Sequence, residues 1–398
     1  MKEESLLLLS DLQKLINQVV MFDYTIIILG GIFMRGVNLG NWLVLEKWMN
    51  PSFFQGTDAE DETSFCINLS ETEKRARYDV HRNNYITNRD FANIAAMGFN
   101  SVRIPVPFFL FQDVGPYVSC VQYLDRAFDW AEEYGLKVLI DLHTVPGGQN
   151  GTDNSGISGI CIWSNHKEYV DYTLNVLEKI AERYGQRSCL YGIEVLNEPM
   201  CSDTPTAAYM NIEMISQQYP PANPEWAKEN SNYSLEFLKN YYRESYLRIR
   251  KHMTAEKCVV FSDAFCINIW DQFFQEPEFE NIVLDTHQYL TLAEMLDPSP
   301  NTLPKYQNYI AKMKEDLHIA SQKFQVIVGE WSLITSPCDY SKMTSDEKSD
   351  FFQALSSSYL DALNECQGSF YWNYKLNHTD PSLYAWDVQR CINNKWLK

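Results

Sequence analysis

Several features common in other protein classes are missing from this 398-residue chain. Its 10 cysteines stand singly at 66, 120, 161, 189, 201, 258, 266, 338, 366 and 391. None forms a C-x-x-C pair, which excludes the common zinc and thioredoxin-like spacings. No Gly-rich phosphate loop follows an early strand, so the nucleotide-binding signatures are absent. Only 7 histidines occur, with no H-x-H pair on the first strand. No metal and no cofactor are therefore expected. Positive charge is scarce as well: 33 Lys and Arg face 52 Asp and Glu, a net charge of −19. A surface that acidic repels phosphate backbones, so nucleic acid is not an expected partner.

Long apolar runs are also lacking. Leu6–Leu9 and the run at 24–29 are split by polar residues, and neither reaches the roughly 18 residues of a membrane span. The start, Lys2-Glu3-Glu4, is not the basic region of a secretion signal, and no cleavage site follows. Residues 1–33 read as an N-terminal extension outside the fold, and 34–398 as one domain. Scattered single thiols fit a reducing compartment. A cytoplasmic monomer off the membrane is the expectation, with an extracellular or cell-surface location as the alternative.

What the chain does contain is ample apolar and aromatic material, 45% and 14% of residues. Eight short β-favouring runs, at 35–39, 101–106, 137–143, 190–197, 257–263, 281–287, 325–331 and 368–374, are mostly apolar enough for burial on both faces. Between them lie amphipathic stretches such as 123–134, 170–184 and 233–253, and Gly185 stands where a C-terminal cap would fall. Eight strand-then-helix units predict an α/β fold, a single (β/α)8 TIM barrel. A doubly wound open sheet is the runner-up and lacks its glycine loop. Two long connections, 46–88 and the Pro- and Asn-rich 200–232, are expected over the barrel's C-terminal face as lids or walls.

The strand ends carry the chemistry. Asn38 and Glu46, Arg103, His143, Asn197 and Glu198, His287 and Tyr289, Glu330, and Trp372 fall at or just past successive strands. Taken singly, a carboxylate after a strand is more often a cap or ion-pair partner, and a tryptophan there is packing. Converging on one barrel face, they read as a catalytic ring. Two glutamates suit hydrolysis of a glycosidic bond. Glu330, next to Arg103 and the Tyr289 hydroxyl, is expected to stay ionised. Glu198, buried near that charge, is expected to hold a proton, and Asn197 to bind a sugar hydroxyl.

The ordered set Met34-Arg35-Gly36-Val37-Asn38-Leu39-Gly40-Asn41-Trp42, Val102-Arg103-Ile104-Pro105, Ile140-Asp141-Leu142-His143, Gln149-Asn150-Gly151, Asp153-Asn154-Ser155-Gly156, Asn197-Glu198-Pro199 and Gly329-Glu330-Trp331 resembles family 5 of the glycoside hydrolases. Within that family it is most similar to the exo-β-1,3-glucanase subgroup. The resemblance implies a retaining β-glucosidase or β-1,3-glucanase acting on β-glucan ends, with Glu198 as acid/base and Glu330 as nucleophile. It also implies support from Arg103, Asn197, His287 and Tyr289, and a terminal sugar held by Glu46, His143, Asp153, Asn154 and Trp372. The retaining assignment predicts a carboxyl separation of about 5–5.5 Å. The alternatives are an endo-acting β-1,4-glucanase or mannanase of the same family and, from another class, a non-catalytic carbohydrate-binding barrel.

Overall fold

A computed structural model describes residues 33–221, 223–336 and 342–397, so the extension expected at 1–33 lies outside the described residues except for Phe33. Eight parallel strands close into a barrel in chain order. They are β1 (Met34–Asn38), β2 (Ser101–Val106), β3 (Lys137–Leu142), β4 (Leu190–Glu194), β5 (Cys258–Ser262), β6 (Ile282–Gln288), β7 (Gln325–Trp331) and β8 (Gly368–Tyr371). All eight predicted strands are present. The largest boundary differences are at β4 and β8, which leave the ladder early. At β4 the chain is turning toward a left-handed residue, Glu198, with φ of 43°.

Helices α1 (Glu62–Asn68), α2 (Glu71–Asn84) and α3 (Asn88–Ala96) separate β1 from β2, and α4 (Val121–Tyr134) follows β2. Next come α5 (Lys167–Tyr184) after β3, then α6 (Ile212–Gln218) and α7 (Leu235–Arg250) after β4. Helices α8 (Leu290–Leu296) and α9 (Leu303–Ser321) follow β6, α10 (Ser345–Leu363) follows β7, and α11 (Val388–Asn393) comes last. The fifth unit departs from the expected strand-then-helix grammar. Between β5 and β6 the chain makes only short 3-10 turns, Ile267–Ile269 and Phe273–Gln275. There Trp270, Phe273 and Phe279 pack on one another and on Phe261 and Tyr242 in place of a helix face. The 46–88 connection is likewise helical for much of its length, closing over a satellite cluster of Phe54, Phe65 and Tyr78.

The outer ring packs by amphipathic stripes. Leu124, Ala127, Phe128 and Ala131 of α4 are buried, and Phe128 stacks on Tyr184 of α5 with centroids 4.4 Å apart. Each fully buried Leu or Phe there is worth roughly 1.5–3 kcal/mol. Gly185 caps the C-terminus of α5 as expected, in right-handed geometry. Glycine is needed there for close approach, since a Cβ would lie 2.4 Å from the Ala181 carbonyl oxygen and 2.6 Å from that of His252. Nine cysteines among the described residues are free, and all but Cys266 are buried. Among the described residues, no helix is long and apolar enough to cross a membrane.

Candidate active site

Arg103 sits at the centre of the upper barrel. A strand's side chains alternate between faces, so on β2 residue 103 points inward between two outward neighbours. Its fully buried guanidinium donates from Nε to Glu194 (2.8 Å), from Nη1 to Asn38 (3.1 Å) and Glu330 (2.9 Å), and from Nη2 to Asn197 (2.9 Å). Asp141 lies 3.2 Å from Nη2 and Asp285 3.8 Å from Nε. Burial alone would loosen the guanidinium's proton, but the charges of Asp141, Glu194 and Glu330 more than offset it and hold Arg103 firmly protonated. The three carboxylates beneath the site were not singled out from sequence. The signal was available: Asp141 lies two residues before His143 and Asp285 two before His287, on the same strand faces.

Glu330, on β7, accepts from Arg103 through Oε1 and from the Tyr289 hydroxyl through Oε2 (2.6 Å). Glu198 follows β4 in the left-handed conformation and accepts through Oε1 from Nδ1–H of His287 (2.7 Å). Through Oε2 it accepts from the amide of Asn154 (2.5 Å). His287 is also 3.6 Å from Glu330, so it bridges the two glutamates. One carboxylate oxygen of each glutamate and one ring nitrogen of His287 all lie within 4.8 Å of one another.

The proton arrangement differs from the sequence expectation. Burial raises the Glu198 carboxyl, but the hydrogen bond and charge of His287, with the Asn154 amide, bring it below the usual carboxylate range. Burial carries Glu330 above that range, against the pull of His287 and Arg103. Burial disfavours the His287 cation, yet Glu330, Asp285 and Glu198 together hold its proton well above the ordinary histidine range. Burial and the neighbouring carboxylate are legible in the sequence; a cation from β6 set between the two acids is not. These directions favour a protonated His287 between two acids.

The remaining expected residues gather on the same face. His143 donates to Asp141 (2.5 Å) and stacks on Trp372 at 5.7 Å and 11°. Glu46 accepts from the Trp48 indole (2.8 Å). Burial and then the charge of Asp153 push the Glu46 carboxyl well up, while burial takes Asp153 to about 6. Trp48, Tyr289 and Trp386 form a half-exposed aromatic group continuous with Trp372, Met49 and Leu376. Trp48 and Trp386 were missed, because nothing in their local sequence separates them from packing tryptophans. Glu194, Asp285 and His287, and separately Glu198, His287 and Glu330, have the spacing of metal ligands. Glu194, Asp285 and Glu330 already face the Arg103 cation, and Glu198 faces His287.

The family model for Cellulase (glycosyl hydrolase family 5) matches residues 59–375. The chain belongs to glycosyl hydrolase family 5. As a family 5 enzyme it is an O-glycosyl hydrolase. Among curated relatives it is 31% identical to Glucan 1,3-beta-glucosidase 1 of Schizosaccharomyces pombe, over 92% of this chain and 87% of the relative. It is 32% identical to Glucan 1,3-beta-glucosidase 2 of Candida albicans, over 76% of this chain and 65% of that relative. Among solved structures, the rutinosidase of Aspergillus niger superposes with a TM-score of 0.70 at 22% identity, over 92% of this chain and 98% of that one. This last likeness concerns the fold alone.

Proposed function

We propose that the protein is a retaining, exo-acting β-1,3-glucanase that releases glucose from glucan ends, with Glu330 as nucleophile and Glu198 as acid/base. The approach of one oxygen of each carboxylate to within 4.8 Å of the other supports the retaining part of this reading. Inverting enzymes need about 6.5–9.5 Å to admit a water, and retaining ones about 5–5.5 Å. Glu330 attacks the anomeric carbon while Arg103 and Tyr289 hold its oxygens. The leaving oxygen takes its proton from Glu198 as Glu198 receives one from His287 Nδ1 across the 2.7 Å bond, which leaves Glu198 ionised and His287 neutral. Glu198 then removes a proton from the water that displaces the sugar from Glu330.

The surroundings favour a pocket over an open cleft. Glu46, His143, Glu330 and Trp372 are each no more than 5% exposed. Asn197 Nδ2 is buried without a protein partner, and such a donor calls for a ligand oxygen. The β-1,3 linkage rests on the relatives' names.

Laminarin digestion followed by chromatography and proton NMR tests the proposal. The expected product from the earliest time points is glucose, released as the β-anomer. Laminari-oligosaccharides without early glucose would overturn exo action, and α-glucose as the first product would overturn retention. Cleavage of β-1,4-glucan or mannan but not laminarin would move the enzyme to another substrate.

A further inference from the structure

The segment Gln149-Asn150 has no role in the chemistry described so far, yet it grips the acid's backbone. Gln149 Nε2 donates to the carbonyls of His143 (2.8 Å) and Asn197 (3.0 Å), and Asn150 Nδ2 donates to the next carbonyl, that of Glu198 (3.0 Å). Two consecutive amides thus hold two consecutive carbonyls. The second belongs to the residue at φ of 43°, a conformation that disfavours side chains other than glycine's. Tyr233 locks the grip from behind, donating to the Gln149 carbonyl (3.0 Å) while accepting from the Met200 amide (3.1 Å).

Asn150 also fixes Asn154. Its Nδ2 donates to Asn154 Oδ1 (3.2 Å), and Thr152 Oγ1 donates to the same oxygen (2.5 Å). Two donors on that oxygen leave the other end of the Asn154 amide, Nδ2, to face Glu198 Oε2. Thr152 is in turn held by Asn150 Oδ1, which accepts from its backbone amide (3.0 Å) and shares its single hydroxyl proton (2.8 Å) with Asn154 Oδ1. Both oxygens of the Glu198 carboxylate and its own carbonyl are therefore held, two of these three contacts through Asn150.

We infer that Asn150 is a positioning residue for the catalytic acid: it fixes the Asn154 amide and the Glu198 peptide so that Glu198 keeps its acid strength and its aim. This rests on the proposed role of Glu198. Other groups facing that carboxylate are His287 of β6, Glu330 of β7, His143 beyond β3, Glu46 beyond β1 and Asp153 beside Asn154. None of these side chains is hydrogen-bonded to Asn150, so its removal acts on Glu198 through Asn154 and the peptide.

The test is the pH profile of kcat/KM for Asn150→Ala, Asn154→Ala and the double variant, with Glu198→Gln alongside and thermal melts of all four. Losing a donor to the charged carboxylate raises its proton affinity. The proton passed between His287 and Glu198 is then held more tightly by the pair, so the alkaline limb should move up by about one pH unit in each single variant. The double variant should show the Asn154→Ala shift and no more. If Asn150→Ala is too unstable to assay, Asn150→Ser, which keeps a hydroxyl in the turn, replaces it with the same shift expected. A lowered melting temperature with an unmoved alkaline limb would overturn the inference, as would shifts that simply add. Full activity in Glu198→Gln would instead overturn the assignment of the acid.

Discussion

Arg103 shows how much of the site was legible at the scale of single residues and what escaped. An arginine in a strand otherwise bound for the core must find charge, and the strand-end glutamate Glu330 was an evident partner. Glu194 was hidden inside an apolar run whose hydrophobicity dominates the local pattern, whereas Asp141 and Asp285 show only through their place two residues before a strand-end histidine. The reversed proton order at Glu198 and Glu330 escaped for a different reason: it depends on a 2.7 Å contact from His287, 89 positions away. A second buried acid, Glu62, gives a prediction of its own. It accepts from the Tyr78 hydroxyl (2.7 Å) and the Leu45 amide (3.2 Å), but burial dominates and lifts its carboxyl to about 7. The folded state then binds this proton more tightly than the unfolded state. The group's contribution is full below about pH 4.5 and is lost as pH rises through 7. Glu62→Gln cannot ionise. Relative to it, the parent protein should lose up to about 3 kcal/mol of stability between those pH values. Urea unfolding at pH 5 and pH 8 measures this, and a pH-independent difference would contradict it.

At the scale of elements, the eight strands were readable because strands buried on both faces leave continuous apolar runs. Their ends were less so, since β4 stops where Asn197 and Glu198 turn out of the ladder even though the Asn197 amide still donates to the Leu142 carbonyl (3.0 Å). Helix α1 was readable in principle: Asp61 and Ser64 form a reciprocal capping box at its start. It was passed over as part of a loop because it lasts only seven residues. That helix braces the site, with Asp61 accepting from the Ser158 amide (2.8 Å) and Thr63 donating from its hydroxyl to the Gly156 carbonyl (2.6 Å), beside Asp153 and Asn154. The ends of β1 and β8 meet just as closely. A Cβ on Gly40 would stand 2.7 Å from the Trp372 indole. Gly40→Ala should therefore displace Trp372, raise KM for a glucoside several-fold with a smaller effect on kcat, and cost about 1–3 kcal/mol as overpacking does. Steady-state kinetics with a thermal melt check both, and an unchanged KM would show that Trp372 does not contact the sugar.

For the molecule as a whole, the barrel brings residues from position 46 to position 372 onto one face, which no local pattern could establish but which an ordered set of strand-end motifs did. Its stability does not draw on cross-links among the described cysteines. Burial pushes the thiols of Cys120, Cys161, Cys366 and Cys391 up to about 12, where almost no reactive thiolate exists near neutral pH. Peptide mapping after iodoacetamide treatment should find these four unmodified in the native protein and modified once urea unfolds it; labelling in the native state would contradict the packing. The central claim is that Glu330 forms a covalent bond to the sugar. Incubation with a 2-deoxy-2-fluoro-β-glucoside carrying an activated leaving group, followed by mass spectrometry of the intact protein and its peptides, tests it most directly. One fluoroglucosyl group per chain, on Glu330, is expected; no adduct while turnover continues, or an adduct on Glu198 or elsewhere, would contradict it.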